Sequence, residues 1–171
     1  MEEIINKNIL KVLENDYDEC QLDYVILSNE SEYEHEISHK KAVISFFDVI
    51  GKRYRVGNRL NYGKFSLEED KMICRRYSVS EFFSTKCSKF GDLSYWNAFH
   101  EPPYGTPYTE DDFKRINDIL FSDSDSIEIY IWNDEFSDYF DDGKEWWGTA
   151  LWSIYDSKKN RFVVIGASLT D

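Results

Sequence analysis

The sequence predicts a single α+β domain over residues 1–171, with an antiparallel sheet formed largely by the C-terminal third and packed against N-terminal and central helices. Three observations lead there. Helix-period patterns come mostly first and strand-period patterns mostly last, without the βαβ alternation that builds a parallel sheet. The chain is 42% hydrophobic and 17% aromatic at the length of one ordinary domain, so it has ample core material. No internal repeat and no linker divides it.

Residues 3–15 place Ile4, Ile5, Ile9, Val12 and Leu13 on one face at helical spacing. Residues 22–27 are a short apolar run rich in Val and Ile, hence a strand. After an acidic stretch, residues 42–50 set Val43, Phe47 and Ile50 on one helical face, with Gly51 as a stop. Residues 52–65 hold two glycines among basic residues and read as a loop or twisted hairpin. Ser66 with Glu69 has the form of a capping box opening a helix to about Tyr77, and residues 80–87 suggest another helical turn. The clearest helix follows residues 101–109. Pro107 and Thr109 prepare its start, Glu110, Asp111 and Asp112 suit its dipole, and Phe113, Ile116, Ile119 and Leu120 form its apolar stripe. Ile127, Ile129 and Ile131 then alternate with Glu128, Tyr130 and Trp132 as a strand, and residues 149–155 and 161–167 form a hairpin across a five-residue loop.

A net charge of -13 argues against nucleic acid and anionic lipid, since phosphate binding needs an excess of Lys and Arg. It leaves basic partners or a small neutral ligand open. The charge is also uneven. Residues 40–76 hold ten of the 20 Lys and Arg against four acids, leaving a balance of -19 on the rest of the chain. A surface salted with both signs accounts for this, as does a dipolar molecule with a recognition face. Three cysteines (Cys20, Cys74, Cys87) without a C-x-x-C pair fit a reducing compartment. The N-terminus is acidic and amphipathic rather than signal-like, and no apolar run is long enough for a membrane span, so a cytoplasmic protein is expected.

His35-Glu36-Ile37-Ser38-His39 spells H-E-x-x-H, in which two histidines on one helical face hold zinc and the Glu activates water. Here the flanks Glu30, Glu32, Glu34, Lys40 and Lys41 mark a solvated stretch. The extended signature also fails, since Ala42 and Ser45 stand where a Gly and a third His belong; Glu68, Glu69 or His100 would have to complete the set. The reading is a polar surface segment with incidental histidines and no cofactor. The alternative is a zinc-dependent hydrolase with His35 and His39 as ligands and Glu36 as base. His100 beside Glu101 reads as a structural histidine before a base held by a carboxylate, and the cysteines as small buried residues before nucleophiles. Nucleophile elbow, phosphate loop and dinucleotide motifs are missing from the sequence.

Residues 134–147 combine six acids (Asp134, Glu135, Asp138, Asp141, Asp142, Glu145) with Lys144 and five aromatics (Phe136, Tyr139, Phe140, Trp146, Trp147). So short a connector is not expected to bury all five rings. Carboxylates would steer a cationic partner, with Trp146 or Tyr139 as anchor. The competing reading has Trp146 and Trp147 covering one end of the sheet above solvated acids. A calcium loop is not indicated, because the ligand alternation and terminal Glu are missing. A small-molecule module using the aromatic end of the sheet is a further option.

Two blocks resemble a known family. Glu101-Pro102-Pro103-Tyr104-Gly105-Thr106-Pro107-Tyr108-Thr109, followed by Asp112-Phe113 and Ile116-Asn117, is the first. The second runs through Glu145-Trp146-Trp147-Gly148, Trp152-Ser153-Ile154-Tyr155-Asp156, Arg161-Phe162-Val163-Val164-Ile165 and Ala167-Ser168-Leu169-Thr170-Asp171. Over residues 95–171 the chain resembles small bacterial immunity proteins found beside polymorphic toxins, including those with an LXG-type N-terminal region. The usual ending of such relatives has Ala where Leu169 stands. The resemblance implies a protein that binds and blocks a cognate toxin. The charge of the acidic segment suits a basic toxin, and the residues of that segment read as its binding site are Asp134, Glu135, Asp138, Tyr139, Asp141, Asp142, Glu145 and Trp146, with no catalytic residue assigned. The resemblance leaves the toxin's activity and the oligomeric state open.

Overall fold

The computed structural model describes residues 1–4, 9, 12–13, 21–56, 64–85, 93–145 and 147–169. Five strands form one antiparallel sheet: β1 (Asp23–Ser28), β2 (Cys74–Tyr77), β3 (Ile127–Trp132), β4 (Gly148–Asp156) and β5 (Arg161–Leu169), in the order β1-β5-β4-β3-β2. Helices cover both faces: α1 (Glu36–Val56), α2 (Val79–Phe82), α3 (Tyr95–His100), α4 (Glu110–Leu120) and α5 (Asp141–Glu145). The α+β class and the sheet built mainly by the C-terminal third are therefore found as the sequence predicts.

Both faces being covered explains the near-continuous apolar runs of β1, β4 and β5. Tyr24, Ile26, Ile129, Trp152, Ile154, Val163 and Ile165 point to one side, against Phe82, Tyr95, Phe99, Phe113, Ile116 and Leu120 of α2, α3 and α4. Val25, Leu27, Leu151, Phe162 and Val164 point to the other, against Val43, Phe46, Phe47 and Ile50 of α1 and the rings of Phe136, Tyr139 and Phe140. At Gly166 of β5 the second layer comes very close. A Cβ there would lie 2.6 Å from Phe46 Cζ and 2.7 Å from Tyr139 Oη, so only glycine admits both rings.

α4 begins where the sequence places it, on a capping box in which Thr109 Oγ1 accepts from Asp112 N and Asp112 Oδ2 accepts from Thr109 N. β4 and β5 reproduce the expected hairpin, and residues 9, 12 and 13 are helical while the rest of 5–20 lies outside the described residues.

Three expectations are corrected. Gly51 does not stop α1, which runs to Val56, Gly51 itself being buried inside it. The buried stripe also reaches back a full turn, through Ser38 and His39, so this part of the segment 35–39 is not solvated. Residues 66–77 do not form a helix. Ser66 instead makes a reciprocal pair with Asp138 (N to Oδ1, 2.7 Å; Asp138 N to Oγ, 3.2 Å), and Cys74–Tyr77 is the edge strand β2. Tertiary pairing won there over a local cap, and the caps that form further on are Ser78 with Glu81 and Ser94 with Asn97.

Candidate functional site

The histidines of the H-E-x-x-H segment meet different surroundings. His35 precedes α1 in a left-handed conformation (φ 45) and gives its Nδ1 to Glu128 Oε1 at 3.0 Å. His39 is on the helix, without solvent exposure, and both of its ring nitrogens are occupied. Tyr33 lies edge-on to the two imidazoles. Glu36 hydrogen-bonds the Cys74 thiol instead of reaching a space between histidines; burial first, then Glu36, push that thiol up to about 12. The pairing of two imidazoles on one helical face is thus not the arrangement found. Among the described residues no group of three or more His, Cys, Asp or Glu side chains could hold a metal ion.

What forms instead is a chain of hydrogen bonds whose direction its two ends dictate. The Trp132 indole can only donate, and it donates to Ser153 Oγ at 2.8 Å. The Glu128 carboxylate can only accept, and it takes the Tyr33 hydroxyl at 2.9 Å. The Tyr33 oxygen therefore accepts from His39 Nε2–H at 3.0 Å, which leaves Nδ1 bare to accept the Ser153 hydroxyl at 2.7 Å. His39 is the neutral Nε2–H tautomer. Burial holds its pKa down at about 3 against the opposing pull of Glu128. Tyr33 is pushed upward, by burial and then by Glu128. Glu128 also accepts from Arg76 Nη2 at 3.0 Å. Burial works to raise its pKa, but the bonds from His35 and Tyr33 with the Arg76 charge prevail and hold it below the usual carboxylate range. Ser153 and His39 have no exposed surface, so this network ties α1 to β3 and β4 inside the core.

His100 ends α3 with its ring 3.8 Å from Trp96, and burial lowers its pKa. The carboxylate of Glu101 accepts from Asn97 Nδ2.

The acidic segment reads differently. Phe136, Tyr139 and Phe140 are all buried while Trp147 is not, so the connector hides three of its rings and leaves one out, in line with the expectation that it cannot bury all five. A 3₁₀ turn at Asp138–Phe140 followed by α5 folds the segment over the α1 layer, and Tyr139 donates its hydroxyl to Asp23 Oδ2 at 2.9 Å. Tyr139 is accordingly a core residue and not an exposed anchor. Trp147 is 50% exposed, and Trp146 lies outside the described residues. Glu135, Asp138, Asp141, Asp142 and Glu145 are exposed, while Asp134 is partly covered and accepts from Thr149 Oγ1.

Sequence reasoning missed what joins this segment. Residues 66–73 pair with it backbone to backbone: Glu68 N donates to Phe136 O at 2.8 Å and Asn133 N to Ile73 O at 2.9 Å. Glu68, Glu69 and Asp70 thereby stand beside Asp134, Glu135, Asp138, Asp141, Asp142 and Glu145. The two segments pool nine carboxylates against two cations, Lys71 and Lys144. A groove of about 590 Å³ opens next to them, lined by Ile73, Leu93, Ile131, Asp134, Lys144 and Ala150 among others. Ile73 at its rim is 67% exposed. The Glu-Glu-Asp run was visible in the sequence, but it read as the first turn of a helix.

No protein-family model matches the chain, and neither the curated proteins nor the solved structures contain a match to it. No described helix is long and apolar enough to cross a membrane.

Proposed function

We propose that this protein acts by stoichiometric binding of a basic protein, as an immunity-type inhibitor of a cognate bacterial toxin. The supporting observation is the pooling of nine carboxylates and two lysines on the paired segments 66–73 and 133–145, beside a groove with an exposed apolar rim. Such a surface raises the local concentration of a cationic partner and speeds its docking, while Ile73 and Trp147 offer apolar area to be buried once it has docked. The family resemblance over residues 95–171 points to the same role.

Pull-down from the native host, followed by co-expression with a basic toxin recovered in that way, tests the reading. Rescue of growth and co-purification of a stoichiometric complex are expected. Growth arrest with both proteins soluble and no complex would end it.

A further inference from the structure

Tyr104 is the most exposed large hydrophobic residue among those described, at 89%, and its backbone sits at φ 69. Gly105 N donates to Pro102 O at 2.9 Å, closing a turn with Pro103 at its second position and Tyr104 at its third. A Pro followed by a residue with positive φ is the pattern of a type II turn, whose third position favours Gly. A bulky L-residue there is strained by about 1–2 kcal/mol. Glycine stands one residue too late to relieve it, at Gly105, which is itself at φ 77. The side chain does not recover that strain by packing. The rest of the loop is held firmly: Pro102 and Pro103 are buried, and the Pro103 carbonyl accepts from Gln21 Nε2 at 3.0 Å.

The position of this turn gives the strain a meaning. Gln21 lies two residues before β1, and the register places the start of β1, the end of β5, the start of β4, the end of β3 and the start of β2 at one end of the sheet. Tyr104 is therefore at the end that also carries Trp147, Ile73 and the acidic segment 133–145. Of the four exposed large hydrophobic residues described, three are here, and the fourth, Ile37, is in the first turn of α1. Five strands spaced about 4.8 Å apart make this end roughly 19 Å wide, the scale of one face of a standard protein interface.

We infer that Tyr104 is an anchor for the basic partner, presented by a rigid, strained turn at the β1 side of an interface that spans this end of the sheet. This rests on the binding reading above and adds a residue outside the acidic segments. The ring offers a flat aromatic face to a Lys or Arg side chain, and the buried prolines remove the ordering cost that a flexible loop would carry on binding.

The test is Tyr104→Gly, measured twice. Alone, the variant should melt about 2 °C higher, because relief of the left-handed strain outweighs the added freedom of the unfolded chain. A melting temperature several degrees lower would show that Tyr104 serves the fold, and would overturn the inference. With the basic toxin recovered from the native host as ligand, affinity should fall by about ten-fold or more. Wild-type protein that binds the toxin while Tyr104→Gly binds it equally well would overturn the anchor and leave the binding reading standing. Wild-type protein that does not bind at all would remove both.

Discussion

His39 offers a sharp physical test of the buried network. Its pKa is about 3 in the folded chain against 6.5 when solvated. The sign follows from which state binds the proton. Above pH 6.5 both states hold neutral imidazole and His39 contributes no pH dependence. Between 6.5 and 3 the unfolded chain is protonated there and the folded chain is not, so stability falls as pH falls, by about 1.4 kcal/mol per pH unit. Over the whole window that is roughly 5 kcal/mol, a large share of the stability of an ordinary domain. In His39→Gln this titration disappears. At pH 7.5 the variant should be less stable than wild type by about 2 kcal/mol, through lost hydrogen bonds and lost packing against Tyr130 and Phe162. Near pH 5 the wild type has lost about as much, so the two stability curves should converge. Urea unfolding at intervals from pH 5 to 7.5 reads this directly. The window avoids the Glu128 carboxylate, and the effect of His100 is common to both proteins. Parallel curves would refute the neutral, buried assignment of His39.

Three further outcomes are expected. Gly166→Ala drives a Cβ into Phe46 and Tyr139 and should cost about 1–3 kcal/mol, seen as a lower urea midpoint with an unchanged slope. Asp156 is fully buried and accepts from the backbone of Ser122, Lys158 and Lys159 at 2.8, 3.0 and 3.1 Å; Asp156→Ala orphans these amides and should destabilise the fold by about 3 kcal/mol in thermal or urea unfolding. Cys74, in a background with Cys20 and Cys87 replaced by Ser, should react with a disulfide reagent at pH 8 far more slowly than an unfolded thiol, because its pKa is pushed up to about 12. Reaction at the unfolded rate would contradict that environment.

The layered fold was legible where one period dominated. The capped, amphipathic α4 and the β4–β5 hairpin each carry a local signal that tertiary contacts reinforce. Reading failed where distant segments decide. Ser66 and Glu69 look like a helix start, yet Asp138 satisfies the Ser66 amide from across the chain. His39 reads as polar and exposed among charges, and only the extension of the α1 stripe by a full turn buries it, beside Ser153 from a strand more than a hundred residues later. Which of the five rings of 136–147 would be hidden was not legible, because the sequence does not reveal that glycine at 166 opens room for Tyr139 and Phe46 over β5. The six acids of 134–145 were visible as a candidate site. Their union with Glu68, Glu69 and Asp70 depends on backbone pairing that no local pattern encodes. Tyr104 was visible only as part of a Pro-rich loop, since the turn's register, and not its composition, makes that residue strained.

Recruitment of a basic protein by the acidic surface is what the proposed function requires. Its most direct measurement is the salt dependence of toxin affinity for wild type and for Glu135→Lys/Glu145→Lys, two exposed carboxylates on the proposed face. Wild-type binding should weaken steadily from low to physiological ionic strength, and the double variant should bind more slowly and with a flatter salt response. Identical association rates and salt responses for the two proteins would contradict recruitment by charge.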